Sequence, residues 1–339
     1  MLINKPCSTS CAGHSKRTTF FNYQLPFMKL LILLTLSLWL LSCKKTDPGP
    51  AKRLERRVEV YNDTASLTTA FEYDSQGRIV TIKIASNNQP LQLYLTVSYS
   101  SNEATLQFQT FNDGFANVDR QMQLLLDADG RMLQRIFRVK KTDISNPSYY
   151  QEALSTLDLA YDATGFLKTA NYYRFDSSWR PGNIWTSRDS FITQYTTTDG
   201  KLTNADQIGG TIYKVDTGSN PIMGYRTKEY HSVLLYTKEQ PNNFDCSNAG
   251  ILNQIIGFGL SDQYYDVNEF EPIVDATYKY LPDRTQKRAL EKDENGNTVV
   301  GFNTDVLLQR TYNKDGMLEI TEVLTPYQGM KRIEYYYTR

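Results

Sequence analysis

The sequence predicts an all-β protein, a large antiparallel meander of β-hairpins that curls into a partial or closed barrel-like sheet. Two observations support this prediction. Segments that alternate apolar with polar residues recur along the chain, and a turn motif built on Asp or Asn and Gly recurs between them. The turn glycines are irregularly spaced, which favours a meander with outer loops of variable length over a strict solenoid.

The turn motif supplies the first element of this architecture. Each copy has an apolar strand end, Asp or Asn, polar residues, Gly and an apolar strand start. The clearest copies span residues 71–79, 125–133 and 160–168, and weaker copies span 195–202, 291–299 and 311–318. The Asx side chain bonds its own backbone, and Gly adopts the positive φ that closes a short hairpin with a bulge. The predicted turn glycines are Gly77, Gly130, Gly165, Gly200, Gly296 and Gly316.

The flanking segments are predicted strands. Residues 78–85, 91–99, 104–111 and 318–324 alternate apolar with polar residues and are rich in Val, Ile, Thr and Tyr. One segment departs from this pattern between Pro241 and Asp262. Its apolar residues suit either one face of a short helix or a loop packed over a sheet edge or opening.

The sequence pattern of the N-terminal region predicts that the protein is exported. The apolar run Leu30–Leu41 has the length of a secretory h-region and is short for a membrane span. Met28-Lys29 reads as the true start, so we interpret residues 1–27 as a start-site overcall and 28–42 as a signal peptide. The sequence Leu40-Leu41-Ser42-Cys43 resembles the lipobox of bacterial lipoproteins. That resemblance implies lipidation at Cys43 and anchoring to the outer membrane in a Gram-negative cell envelope, with the exposed side undetermined; the alternative is an uncleaved N-terminal anchor.

The mature chain then consists of a tether and one domain. Residues 43–55 contain two prolines and one glycine among polar residues, as in a flexible tether, and 56–339 form a single antiparallel β domain. Whole-chain charge is balanced at 37 basic and 37 acidic residues, but removal of 1–42 leaves 33 basic against 37 acidic. This balance gives no reason to expect a nucleic-acid partner.

Two resemblances follow from these motifs. Tyr73-Asp74 to Ile79 and Tyr161-Asp162 to Leu167 look like the YD repeats of RHS-type secreted proteins. With the lipobox, the chain resembles a bacterial lipoprotein family described as a domain of unknown function with a porin-like fold, which implies a barrel but no catalytic residues. Charges in predicted mid-strand positions, at Arg135, Arg138, Arg188 and Asp189, favour a tethered sheet over a lipid-embedded barrel.

Few residues suggest catalysis or metal binding. Cys7, Cys11 and His14 lie in the overcalled segment, which leaves His231 as the only histidine and Cys246 as the only other thiol after Cys43. We interpret both as structural. The acidic turns at 291–296 and 311–316 resemble EF-hand openings, but Phe302 stands at the twelfth position of the first and Thr311 at the first position of the second. We therefore predict no catalytic residues, metal or cofactor; a carboxylate pair for glycan hydrolysis cannot be selected.

Consecutive tyrosines suggest a binding surface. Neighbouring strand residues point to opposite faces, so at least one tyrosine of each group lies off the core face. The candidate surface aromatics are Tyr149, Tyr150, Tyr172, Tyr173, Tyr264, Tyr265, Tyr335, Tyr336 and Tyr337. The favoured hypothesis is a non-catalytic, membrane-tethered binding or scaffolding module for a glycan or envelope protein. The alternatives are a carboxylate-based glycan hydrolase and a carrier of lipid or another small ligand in the barrel interior.

Overall fold

The structure is a computed structural model that describes residues 52–338 except 62–63, 88, 113–115, 181–182, 218–220, 242–279 and 328–329. Its strands are β1 (Leu54–Val60), β2 (Ser66–Tyr73), β3 (Ile79–Ser86), β4 (Gln92–Ser100), β5 (Glu103–Phe108), β6 (Phe111–Asn112), β7 (Ala116–Leu126), β8 (Met132–Asp143), β9 (Tyr150–Tyr161), β10 (Leu167–Arg180), β11 (Asn183–Thr198), β12 (Lys201–Asp216), β13 (Ile222–Leu235), β14 (Gln240–Pro241), β15 (Tyr280–Leu281), β16 (Arg284–Lys292), β17 (Thr298–Tyr312), β18 (Leu318–Tyr327) and β19 (Met330–Tyr337).

The strands form a closed antiparallel barrel. Each strand of the main sheet pairs with its neighbour along the chain, and β1 pairs with β19 to close the ring. Because β5 and the short β6 both pair with β7, the wall has 16 strands. The predicted all-β antiparallel meander is confirmed. β1 begins at Leu54, which is almost fully buried, so the barrel starts inside the predicted tether.

One face of the wall is the barrel interior. Along β11, Phe191, Thr193 and Tyr195 are buried, whereas Ile192 and Gln194 are exposed. We call the end that holds Arg53 and Thr338 the proximal end, and the opposite end the distal end. The apolar core fills the interior towards the proximal end, and its fully buried members include Ile79, Leu95, Leu106, Phe108, Phe137 and Ile333. Each such side chain contributes roughly 1.5–3 kcal/mol through burial.

The Asx-Gly turns have one shared geometry. The Asp74 carbonyl accepts the Gly77 N–H at 3.0 Å, and its carboxylate accepts the N–H groups of Gln76 and Arg78 at 2.9 Å each. Gly77 has a φ of +84°, which an L side chain adopts only with strain. The same bonding recurs at Asp127, Asp162, Asp293 and Asn313.

The turn at Gly200 differs from the predicted form. Asp199 and Gly200 both have positive φ, at +52° and +78°, and Thr198 pairs with Lys201. This is a two-residue type I′ turn, whose twist matches that of the flanking strands. All six predicted turn glycines have positive φ.

Tyrosine hydroxyls connect neighbouring strands at the proximal end. The Tyr161 hydroxyl donates to the Met132 carbonyl at 2.9 Å, and Tyr99 donates to Ile79 at 2.8 Å. The same contact joins Tyr73 to Leu54, Tyr236 to Leu202 and Tyr337 to Leu318. In every case the two strands are linked in sequence at the distal end. We call these contacts tyrosine latches. The Asx-Gly turns at Gly77, Gly130, Gly165 and Gly316 lie at the same proximal end, whereas the turn at Gly296 joins the distal ends of β16 and β17.

The charges predicted on polar strand faces divide between the two sides of the wall. Arg138 and Arg188 are exposed outside, whereas Arg135 and Asp189 are buried in the interior. The prediction was therefore wrong for Arg135 and Asp189. Each lies two residues before a buried aromatic residue of the same strand, Phe137 or Phe191, and so points to the same interior face. The exterior is mixed: ion pairs such as Arg284–Asp305 stand on the same surface as the exposed Ile192, Ile208 and Ile212.

Candidate functional site: a polar cup in the distal interior

The distal interior of β10–β13 and β16 is polar, in contrast to the proximal core. An open cavity of about 460 Å³ is present there. Cross-strand register explains its construction, because Arg174, Asp189, Thr211 and Arg226 lie side by side on four neighbouring strands. We call this site the polar cup; its lining is Arg174, Asp176, Trp185, Ser187, Asp189, Thr211, Tyr213, Arg226, Lys228 and Glu291.

Charges in the cup are paired. The Arg174 guanidinium donates to the Asp176 carboxylate at 2.9 Å, two residues along the same face of β10. Arg226 donates to Glu291 at 3.0 Å, across β13 and β16. With Lys228 and Asp189, the lining holds three basic and three acidic side chains. The cup therefore offers donors and acceptors without a strong excess of either charge.

Asp189 is the most unusual carboxyl of the cup. It is 8% exposed, and the Thr211 hydroxyl donates to it at 2.6 Å. Burial raises the pKa of Asp189 above its ordinary value, and the nearby negative charge of Asp176 acts in the same direction. The hydrogen bond from Thr211 and the charges of Lys228 and Arg174 oppose the increase.

Two aromatic rings complete the lining. Tyr213 lies opposite Gly224 on β13, and a Cβ at Gly224 would come within 2.2 Å of the tyrosine ring. The absence of a side chain at 224 thus gives the Tyr213 ring its place on the inner face. Trp185 lies two residues before Ser187 on the same face of β11. These rings add apolar contact area beside the polar groups.

The floor of the cup is the edge of the apolar core. Tyr172 and Phe191 are 2% and 1% exposed, and their ring centroids are 6.4 Å apart. They pair across β10 and β11, directly next to the Arg174–Asp189 pair. The cup is therefore built on rigid, packed strands rather than on loops.

The predicted surface tyrosines fall into different environments. Tyr150, Tyr173 and Tyr336 are exposed, at 39%, 44% and 39%. Tyr172 and Tyr335 are buried, so neither is a surface aromatic; strand alternation turns them inward. Tyr337 forms a tyrosine latch, and Tyr149 is half-buried. Tyr264, Tyr265 and Cys246 lie outside the described residues, as does most of the segment 241–262.

The remaining candidates lie away from the cup. His231 is on the outer face of β13, where its Nδ1 lies 2.9 Å from an Asp206 carboxylate oxygen. The Asp293 carboxylate, in the first EF-hand-like turn, is already bonded to the backbone of Asn295 and Asn297. Across the described part of the chain, no three His, Cys, Asp or Glu side chains are grouped to hold a metal ion. Nor does that part contain a helix long and apolar enough to span a membrane.

Sequence reasoning missed the polar cup, although one local signal points to it. Asp189 is two residues before Phe191 and six before Tyr195, both of which are strongly apolar strand positions. A strand residue at even spacing from such positions shares their face. The signal identifies an inward acid on β11, but not its neighbours from β10, β12 and β13.

Comparisons with known proteins add a fold likeness only. No protein-family model matches the chain, and no curated protein matches it. Among solved structures it is similar to a porin-like protein from Bacteroides vulgatus ATCC 8482, with 13% identity and a TM-score of 0.42, over 85% of this chain and 99% of that one. It is also similar to a porin-like protein from Bacteroides uniformis ATCC 8492, with 12% identity and a TM-score of 0.40, over 84% and 98% of the two chains.

Proposed function

We propose that the protein is a lipid-tethered barrel of the Gram-negative outer membrane that binds a saccharide in the polar cup. The single observation on which this rests is the combination, in one open cavity, of paired polar groups with the rings of Trp185 and Tyr213. A sugar ring has hydroxyls around its edge and C–H groups on its faces. Such a ligand suits a site that offers hydrogen-bonding groups beside aromatic surfaces.

The charge pairs favour an uncharged or weakly charged ligand. Within each of the ion pairs Arg174–Asp176 and Arg226–Glu291, the two side chains already neutralise each other's charge. A strongly anionic ligand would therefore have to displace a carboxylate. Hydroxyl groups, in contrast, both donate and accept and fit between existing partners. The cup lies towards the distal end of the barrel, opposite the end that holds Arg53 and Thr338.

Tethering beside the membrane, rather than insertion into it, is supported by the outer face. Lys83–Glu72, Arg284–Asp305 and Arg332–Glu334 are exposed ion pairs on the outer surface of the wall. A lipid-facing Arg or Lys costs about 2–4 kcal/mol at the bilayer midplane. The lipobox at Cys43 supplies an anchor that needs no apolar band on the barrel.

The saccharide proposal is tested by the tryptophan fluorescence of the mature lipoprotein. Residues 43–339 contain only Trp179, on the outer face, and Trp185, in the cup. In a Trp179→Phe variant, titration with a panel of oligosaccharides should change the emission of Trp185. Tyr213→Ala should weaken the sugar affinity measured by that emission at least tenfold. Arg188→Ala, on the outer face of the same region, should leave the affinity unchanged. No response to any sugar, or equal responses in all variants, would reject the proposal.

A carboxylate-based glycan hydrolase is the second candidate, favoured by the raised pKa of Asp189, which lines the cup together with a second carboxyl group, that of Asp176. A protonated acid and a nearby carboxylate are the pair that glycoside hydrolysis requires. The test is release of reducing ends from oligosaccharides that bind. Asp189→Asn should abolish release while binding persists; binding without any release by the wild-type protein would eliminate this candidate.

A further inference from the structure

A second concave surface lies on the outside of the barrel, across β7–β10. It encloses about 460 Å³ and is formed by two adjacent cross-strand rows. One row runs from Asp119 through Lys140 and Glu152 to Ser177, and the next from Gln121 through Arg138 and Leu154 to Phe175. We call this surface the outer groove.

Aromatic rings border the outer groove on its distal side. Tyr150 and Trp179 pair across β9 and β10, with ring centroids 6.3 Å apart and an angle of 18° between the ring planes. The Lys140 ammonium lies 6.0 Å from the centre of the Tyr150 ring. Leu154, in the groove itself, is 39% exposed, so apolar area is already in contact with water.

The polar groups of the groove are held weakly. Lys140 and Glu152 form an ion pair of 3.5 Å whose side chains are 57% and 52% exposed. An exposed pair of this kind contributes little to stability. Either group can therefore turn to a ligand hydroxyl at small cost, while the strands hold the backbone in place.

We infer that the outer groove is a second saccharide site, which takes a linear oligosaccharide lying across β7–β10. The geometry favours an extended ligand, because the polar row follows the hydrogen-bonding direction over four strands, about 14 Å from first to last at 4.7–4.9 Å per strand. Alternating acidic and basic groups suit a chain of hydroxyls, and the Tyr150–Trp179 pair gives a planar contact for a ring. This inference deepens the proposed function but uses none of the cup residues.

The cup and the outer groove lie on opposite faces of the same wall, so one barrel would be able to bind two segments of a saccharide. Arg174 and Asp176 face the cup, whereas Phe175 and Ser177 face the outer groove, on the same stretch of β10. Two sites on one rigid wall raise the avidity for a long polymer without any new contact.

The test uses the lipoprotein with Trp185→Phe, so that Trp179 is the remaining tryptophan of the mature chain. Linear hexasaccharides of α- and β-linked glucan, xylan and mannan are titrated against its emission. At least one should bind, and Tyr150→Ala should weaken binding about tenfold, as expected for loss of an aromatic contact. Tyr336→Ala is the matched control: Tyr336 is equally exposed, at 39%, and carries Arg56 over its ring on another part of the wall.

The outcomes separate the two sites. A response of Trp179 that survives Tyr213→Ala, disappears with Tyr150→Ala and persists in Tyr336→Ala supports the outer groove whether or not the cup binds sugar. Circular dichroism of each variant establishes that the barrel is intact. The inference is overturned if no hexasaccharide alters Trp179 emission, or if Tyr150→Ala and Tyr336→Ala have equal effects.

Discussion

The Tyr161 hydroxyl donates a 2.9 Å hydrogen bond to the carbonyl of Met132, and so joins the end of β9 to the start of β8. The next residue, Asp162, begins the turn that leads into β10. Adjacent Tyr and Asp residues thus connect one strand to both of its neighbours at the proximal rim. Tyr73 and Asp74 repeat this arrangement, which gives the Tyr-Asp motif a structural explanation.

Removal of one tyrosine latch should lower stability. Tyr161→Phe keeps the ring and deletes the hydroxyl, so we expect a loss of about 1 kcal/mol in the free energy of unfolding, the net value of one hydrogen bond. Tyr173→Phe is the control, since Tyr173 is 44% exposed on the outer face. Chemical denaturation of both variants measures the difference; equal midpoints would contradict a stabilising latch.

The turn glycines can be tested for backbone strain alone. Gly296 has a φ of +80°, and no atom lies within 4 Å of the position that a Cβ would take. Gly296→Ala should therefore cost about 1–2 kcal/mol purely through its left-handed backbone. Gly301→Ala, in β17, meets only ordinary contacts at 3.8 Å or more and should change stability little. A thermal melt in which both variants behave alike would argue against the positive φ.

Asp189 should make stability depend on pH. Because its folded pKa is raised, the folded state binds this proton more tightly than the unfolded state. The resulting stabilisation is complete below the ordinary pKa of 3.8 and is lost as pH rises through the higher folded pKa. Asp189→Asn lacks this titration, so its stability relative to wild type should rise with pH over that window. Urea unfolding at several pH values would reveal it, and a constant difference would refute the raised pKa.

The turn aspartates should have the opposite pH dependence. Hydrogen bonds from Thr164 and from the backbone lower the pKa of Asp162, so its contribution is present above the ordinary pKa and lost as pH falls through the lowered one. Asp162→Ala should therefore be less stable than wild type near neutral pH and approach it in strong acid. Asp119→Ala provides an exposed strand control; a difference for Asp162→Ala that persists unchanged in acid would count against this role.

The predicted anchor can be tested chemically. Cys43→Ser removes the thiol that the lipobox resemblance marks for lipidation. We expect the variant to lose labelling by a palmitate analogue in cells, while a Cys246→Ser variant remains labelled. Labelling that persists in Cys43→Ser would exclude Cys43 as the lipid site.

Local chemistry made much of the fold predictable. Asx-Gly turns and period-two alternation depend on neighbours within a few residues, so the hairpins at Gly77 and Gly165 can be predicted from the sequence. Closure of the barrel cannot be predicted in this way, because β1 and β19 are far apart in the sequence. The cup arises from register across five strands between Arg174 and Glu291, which no local pattern encodes. The environment of each tyrosine is likewise not encoded locally, since Tyr73, Tyr99 and Tyr161 donate to backbone carbonyls 19 to 29 residues away in the sequence.

The pairing of β1 with β19 makes closure of the barrel depend on the first and the last strand together. Thr338 donates its N–H to the Arg53 carbonyl at 2.8 Å, so the last residues of the chain seal the seam beside the first. Without Met330–Tyr337, β1 and β18 would each have an unpaired edge, the form of sheet most prone to edge-to-edge aggregation. A product truncated before β19 would therefore keep both edges exposed, and could bury them only against another chain.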